Sequence, residues 1–234
     1  MYVFIDFLQY IEKGRCIIEY KTSYVVKIQI GGFIIMDKIV LDSMSRDCTF
    51  KLRDIISQYI FPIVKSSRPI VVLCIGTDRS TGDSLGPLVG NKLNFLIRNK
   101  IHIYGNLECP VHAKNLCETI DEINYTYTNP YIIAIDACLG SLQNVGKIVV
   151  EEKPLSPGAA MNKDLPKVGD LSITGIVNIS GAFEFMVLQN TRLYTVMILA
   201  DAISKGLYHS VLKTIGGIKL NSIYDDSNIN NVEG

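Results

Sequence analysis

Residues 69–75 read Pro-Ile-Val-Val-Leu-Cys-Ile, an unbroken apolar run that stops at Gly76 and a polar loop. A run this short and apolar is the pattern of a strand buried on both faces. Residues 131–135, Tyr-Ile-Ile-Ala-Ile, repeat the pattern and stop at Asp136. Two such strands demand a sheet covered by helices above and below, which argues against an all-helical or open antiparallel architecture. Both runs fall far short of the ~20 residues that span a bilayer. A chain of 234 residues can bury such a sheet without disulfides or a structural metal. Its 48% hydrophobic and 20% charged residues rule out disordered, collagen-like and coiled-coil classes.

Charge narrows the partners. Lys+Arg and Asp+Glu both total 23, so no global positive field exists to hold a polyanion, and no nucleic-acid partner is expected. The six cysteines form no CxxC pair, so neither a zinc site nor a disulfide framework is expected. Asp6 and Glu12 stand where a signal peptide needs positive charge and then a clean apolar stretch. The expectation is a soluble cytoplasmic protein with no membrane partner, no metal and no cofactor.

Alternating signals extend along the chain. Phe50, Leu52, Ile55, Ile56, Tyr59 and Ile60 recur at near-helical spacing, in a helix that Pro62 brings to its end. Pro87 begins a helix to about Arg98, since proline suits a first helical turn. Residues 101–104 form a second strand, His112 opens a helix to about Ile123, and 131–135 form the third strand. Further strands are expected at 146–151 and 171–179, a long loop at 153–169, and a closing helix at 191–207. The order predicts an α/β fold, with a doubly wound, mainly parallel sheet in one domain.

Residues 1–35 read differently, rich in Tyr, Ile and Phe without a sustained period or turn chemistry. Gly31-Gly32 precedes Met36, and a Gly-Gly pair can be encoded by GGAGGN, a ribosome-binding string suitably placed before a start codon. Two readings stand side by side. Residues 1–35 are a translated leader or irregular extension ahead of one domain over 36–234, or they are an ordinary N-terminal strand pair. Mass spectrometry of the native N-terminus separates them, because any peptide from 1–35 sinks the leader.

In open α/β sheets ligands bind beyond the carboxyl ends of the strands. Three polar segments converge there: 76–84 (GTDRSTGDS), 108–112 (ECPVH) and 136–140 (DACLG). The first is no P-loop, because five residues separate Gly76 from Gly82 and Asp83 replaces the lysine. Gly82, Gly86 and Gly90 fall at i, i+4, i+8, a bare stripe for close packing on the sheet. Asp83 and Asp136 each follow a buried strand. Two carboxyl groups sharing a site split their pKa values, which supplies one acid and one base for a single water. The plainer alternative has Asp83 helping to cap its helix and Asp136 bonding loop amides. His112 could join both aspartates around a metal, contact substrate, or simply stand at a helix start. Cys109 and His112 alone are too few for structural zinc, and Arg79 could hold an acidic group or be solvated.

The stretches CIGTDRSTGDSLGPLVG (74–90), YGNLECPVHAKNL (104–116), AIDACLG (134–140), VGDLSITGIVNISG (168–181) and LQNTRL (188–193) resemble the YyaC sporulation protein family. The similarity runs from about Arg68 to Leu207. These proteins resemble the spore germination protease, which degrades small acid-soluble spore proteins, and more distantly the hydrogenase maturation endopeptidases. The resemblance implies a phosphorylase/hydrolase-like, three-layer α/β/α sandwich. It places Asp83 and Asp136 on the proposed catalytic pair of the germination protease, with Thr77, Asp78, Arg79, Ser84 and His112 shaping a groove for a protein or peptide substrate. The forespore or spore interior is then the expected compartment. Two features of the relatives are missing: no histidine lies between His112 and His209 for nickel recognition, and nothing matches the germination protease's propeptide. Two rivals stand beside the peptidase. One is a non-catalytic protein that binds a spore protein in the same cleft. The other is a metal-dependent hydrolase using Asp83, Asp136 and His112.

Overall fold

The computed structural model describes residues 7–12, 15–20, 23–30, 33–96, 100–157 and 165–216. Its central pair of strands is the pair of apolar runs. β5 (Ile70–Cys74) lies parallel to β7 (Tyr131–Gly140), which pairs in turn with β9 (Leu171–Ile179). β6 (Ile101–Tyr104) flanks β5, also parallel. β8 (Lys147–Glu151) pairs antiparallel with β9, and β4 (Phe33–Asp42) antiparallel with β8. The order β4-β8-β9-β7-β5-β6 is thus a mostly parallel sheet in which only β8 runs against the rest. Beyond β4 the backbone continues through β1 (Phe7–Glu12), β2 (Arg15–Tyr20) and β3 (Ser23–Ile30) as an antiparallel meander.

Side chains alternate across the sheet and divide the core into two layers. Ile70, Val72, Ile133 and Ile135 face one side. There they meet α1 (Cys48–Lys65), α2 (Leu85–Leu93) and α5 (Leu193–Ile215), through residues such as Leu52, Val89 and Leu199. Val71, Leu73, Ile132 and Ala134 face the other, against Leu116 and Ile123 of α3 (Leu116–Thr126). The result is the expected three-layer α/β/α sandwich. Polar bonds clamp the amino ends of β5, β7 and β9 to one another. Arg68 donates to the carbonyls of Asn129 (2.6 Å) and Pro130 (2.8 Å), and the Ile132 amide donates to Asp170 (2.8 Å).

Several expected boundaries move. α2 begins at Leu85 behind a short 3-10 turn (Gly82–Ser84) and ends at Leu93, well before Arg98; residues 97–99 lie outside the described residues. α3 begins at Leu116, not His112. Asn115 uses its side chain to fix the approach, accepting from the His112 amide at 2.8 Å and donating to the Pro110 carbonyl at 3.1 Å. α1 carries Pro62 in its last turn and runs on to Lys65. A short α4 (Glu184–Gln189) precedes α5, which extends to Ile215 rather than stopping near Leu207. Most consequential for chemistry, β7 continues past Ile135, because β9 pairs with it as far as Gly140.

Candidate active site

The chain leaves β5 through α2 toward β6 on one side, and leaves β7 toward β9 on the other. The crevice at the carboxyl ends of β5 and β7 is therefore a topological switch point, where such sheets bind ligands. Pairing of β5 with β7 ends at Cys74 opposite Ile135. Asp136 is the next residue, so it stands where β7 first emerges beyond β5, level with Thr174 of β9. It lies within a strand and not in a loop, which holds its backbone rigidly.

Asp83 reaches the same crevice by a tightly tethered loop. Ile75 bridges Val111, the Gly76 amide donates to the Val111 carbonyl (2.8 Å), and the Thr77 amide donates to the Asp83 carbonyl (3.0 Å). Gly76 has φ +143° and a Cβ there would strike the Asp83 carbonyl, so only glycine lets the loop close. The glycine stripe packs as its spacing predicts only within α2, because Gly82 stands in the 3-10 turn before the helix and packs on another segment. Gly86 abuts the Ile75 carbonyl, Gly90 abuts the Gly105 carbonyl, and Gly82 lies against Leu188 and Thr191.

The two carboxyl groups sit in different surroundings. Asp136 is only 8% exposed. Burial first, and then the charge of Asp83, push its pKa well above the carboxylate range, against the opposing pull of the Ala137 amide, which donates to Oδ1 at 2.7 Å. Asp83 is half-buried, and desolvation raises its pKa to about 6, partly offset by the nearby Thr77 backbone. One carboxyl keeps its proton while its neighbour ionises near neutrality. That arrangement suits a general acid beside a general base. The plainer reading of Asp136 is also met, since it does hold an amide. It leaves unexplained why a carboxyl is buried beside a second one, at a cost in folding free energy.

The remaining expected site residues divide. Thr77 is half-buried, and its hydroxyl accepts from the Arg79 amide at 3.3 Å; Asp78 and Arg79 are exposed at the rim. Ser84 is buried and donates its hydroxyl to the Thr81 carbonyl (2.7 Å), so it shapes the turn carrying Asp83 instead of facing a groove. His112 adjoins Val111 but opens on a different hollow. A pocket of about 500 Å³ beside β6 is lined by His112 with Tyr104, Asn106, Cys109, Asn115 and Glu122, and by neither aspartate. Among the described residues no three His, Cys, Asp or Glu side chains converge to hold a metal ion, so the Asp83–Asp136–His112 donor set does not fit one. The Cys138 thiol, on the same strand, is pushed up to about 11 by burial, which leaves it a poor nucleophile at neutral pH.

Sequence reasoning missed the segment after β9. Leu188 and Thr191 pack on Gly82, and Asn178 ties β9 to this cover by donating to the Val187 carbonyl (3.3 Å) and Thr191 Oγ1 (3.2 Å). The residues NISG and LQNTRL carried the signal as motifs, without a role.

A protein-family model described as "Protein of unknown function (DUF1256)" matches residues 41–206. The chain belongs to that family. The DUF1256 match takes in both aspartates, the glycine stripe and the cover over Gly82. An uncharacterized protein YyaC of Bacillus subtilis (strain 168) is 55% identical over 142 residues, covering 61% of this chain and 69% of the relative, which bears out the resemblance of the motifs. A crystal structure of a NiFe hydrogenase maturation protease, HycI from Thermococcus kodakarensis KOD1, aligns with TM-score 0.40 and 16% identity over 62% of this chain and 92% of its own. Among the described residues no helix is long and apolar enough to cross a membrane.

Proposed function

We propose that this chain is an aspartate-dependent peptidase that cuts a protein or peptide substrate in the crevice between β5 and β7. The observation that carries the reading is the pairing of a half-buried Asp83 with a buried Asp136 whose pKa is raised further by the first. At pH 7 Asp83, titrating at about 6, is mostly ionised, and Asp136 holds a proton. Asp83 takes a proton from a water, whose oxygen bonds to the scissile carbonyl carbon. Asp136 gives its proton to the nitrogen as the C–N bond breaks. The cycle then needs one proton to return from Asp83 to Asp136, directly or through water. General acid–base assistance of this kind supplies roughly 10²–10⁴-fold.

The likeness of YyaC-like proteins to the spore germination protease points to a substrate class, small acid-soluble spore proteins, and a compartment, the forespore or spore interior. Thr77, Asp78 and Arg79 line the rim such a chain crosses. The purified chain, with and without Asp83→Asn plus Asp136→Asn, is incubated with these proteins and the mixture analysed by mass spectrometry. Defined fragments that the double variant fails to make support the peptidase. Binding without cleavage moves the chain to the second reading, a non-catalytic sporulation protein that holds its partner in the same cleft. The pairing of two carboxyl groups with separated pKa values favours the first, because it sets an acid and a base side by side.

A further inference from the structure

Six of the twelve exposed large hydrophobic side chains among the described residues fall between 179 and 194: Ile179, Phe183, Phe185, Met186, Leu193 and Tyr194. Single exposed apolar residues are ordinary, but a cluster marks a surface that meets something. Three of the six, Ile179, Phe183 and Met186, line a groove of about 400 Å³ together with Asn178, Val187 and Asn190. None of these side chains is ionisable.

We propose that this groove, between the end of β9 and α4, is a subsite for one large apolar side chain of an extended polypeptide substrate. The proposal rests on the peptidase reading and adds the side chain it selects. Position carries it first. Thr174 lies level with Asp136, and Ile179 is the end of the same strand. At ~3.3 Å per residue these five steps span roughly 16 Å, the reach of about five residues of extended chain. The segment that forms one wall of the groove also abuts the turn that holds Asp83, because Leu188 and Thr191, next to Val187 and Asn190, pack on Gly82. Rigidity comes next. The Asn178 side chain bonds both Val187 and Thr191, and the Asn190 side chain donates to the Met186 carbonyl at 2.9 Å, so the walls are set before anything binds.

Size selects the occupant. A stable interface with a second copy takes roughly 20–30 residues a side, whereas six residues line this groove. Its volume suits one or two large side chains, and a lining without charge favours Leu, Ile, Met or Phe over Lys or Glu.

The test uses fluorescein-labelled Gly/Ser decapeptides carrying one Phe or, as control, only Ser. They are titrated by anisotropy into the full chain carrying Asp83→Asn and Asp136→Asn, which removes cleavage from the readout. The Phe peptide is expected to bind about tenfold or more tightly than the Ser peptide, the lower end of what burying one ring supplies. Met186→Ser and Phe183→Gly, both at exposed positions, are each expected to shrink that ratio toward one. Equal affinities, or no binding of either peptide, overturn the proposal. So does a dimer in sedimentation velocity that Met186→Ser dissociates, which assigns the groove to a second copy. Cleavage by the unmutated chain keeps the two readings apart. Discrimination without any cleavage sinks the peptidase and leaves the subsite; cleavage indifferent to Phe and to Met186 does the reverse.

Discussion

Across the crevice the charge of Asp83 adds to burial in raising the pKa of the more deeply buried Asp136, while burial raises Asp83 less. The two carboxyl groups therefore ionise in order. Asp83 loses its proton first, facing a neutral neighbour, and feels only its own desolvation. Asp136 must then ionise beside an existing negative charge. Near neutrality the pair therefore holds one proton between two carboxyl groups, and it resides on the more deeply buried of them.

That order sets the pH profile of cleavage. kcat/KM is expected to rise through pH about 6 as Asp83 ionises, and to fall only where Asp136 gives up its proton. Asp83→Asn is expected to lower kcat by roughly 10²–10⁴-fold and to erase the rising limb from whatever activity is left. Initial rates between pH 4.5 and 9 check both. A rising limb that survives in Asp83→Asn assigns it to another group.

The same shift makes the pair a burden on the fold at neutral pH. The Asp83 carboxyl has an ordinary value of 3.8 when unfolded and about 6 when folded, so the native state binds the proton more tightly. Between those values the unfolded chain carries fewer protons than the native one, and stability falls as pH rises. Asp83→Asn is neutral throughout and escapes this penalty. It should be more stable than the parent at pH 7 by about 1–3 kcal/mol, with the gain vanishing near pH 4. Asp136→Asn shifts in the same direction, because its Oδ1 can still accept from the Ala137 amide. Urea midpoints at the two pH values measure the difference.

The central layer was legible because burial on both faces leaves a continuous apolar run, and 70–75 and 131–135 carry one. Gly86 and Gly90 were legible too, since i, i+4 spacing puts both on one face of α2, whereas Gly82 falls in the turn before the helix. Boundaries set by partners were not. Nothing within 131–140 says that β9 will pair with β7 through Gly140, so Asp136 read as a loop residue. His112 read as a helix start because no local rule shows Asn115 spending its side chain on the turn before α3. The cover over Gly82 depends on α4 folding back from β9, a tertiary contact with no periodic trace.

The stripe itself makes a stability prediction. A methyl at Gly86 or Gly90 lands on a backbone carbonyl oxygen, of Ile75 and of Gly105 respectively, and backbone cannot rotate away. Gly86→Ala and Gly90→Ala are expected to cost about 1–3 kcal/mol or more each. Gly181, with nothing within 4 Å of its added Cβ, serves as the control, and Gly181→Ala should change little. Thermal melts of the three variants test whether close approach holds α2 on the sheet. Equal losses at all three positions would mean that it does not.

Phe183 offers the opposite case, a residue whose removal should help. Its backbone sits in the left-handed region (φ 60°, ψ 46°) immediately before α4, where an L side chain costs roughly 1–2 kcal/mol. The residue is 79% exposed and so contributes little burial in return. Its carbonyl accepts from the amides of Met186 (2.9 Å) and Val187 (3.1 Å), and these bonds require the backbone conformation rather than the ring. Phe183→Gly keeps both bonds and relieves the crowding, and is expected to raise stability by up to ~1 kcal/mol. A side chain retained at such a position against its own strain is what a surface kept for a ligand looks like. The urea midpoint decides the point: a rise fits a ring kept for binding, and a fall would mean that the ring instead holds α4 in place.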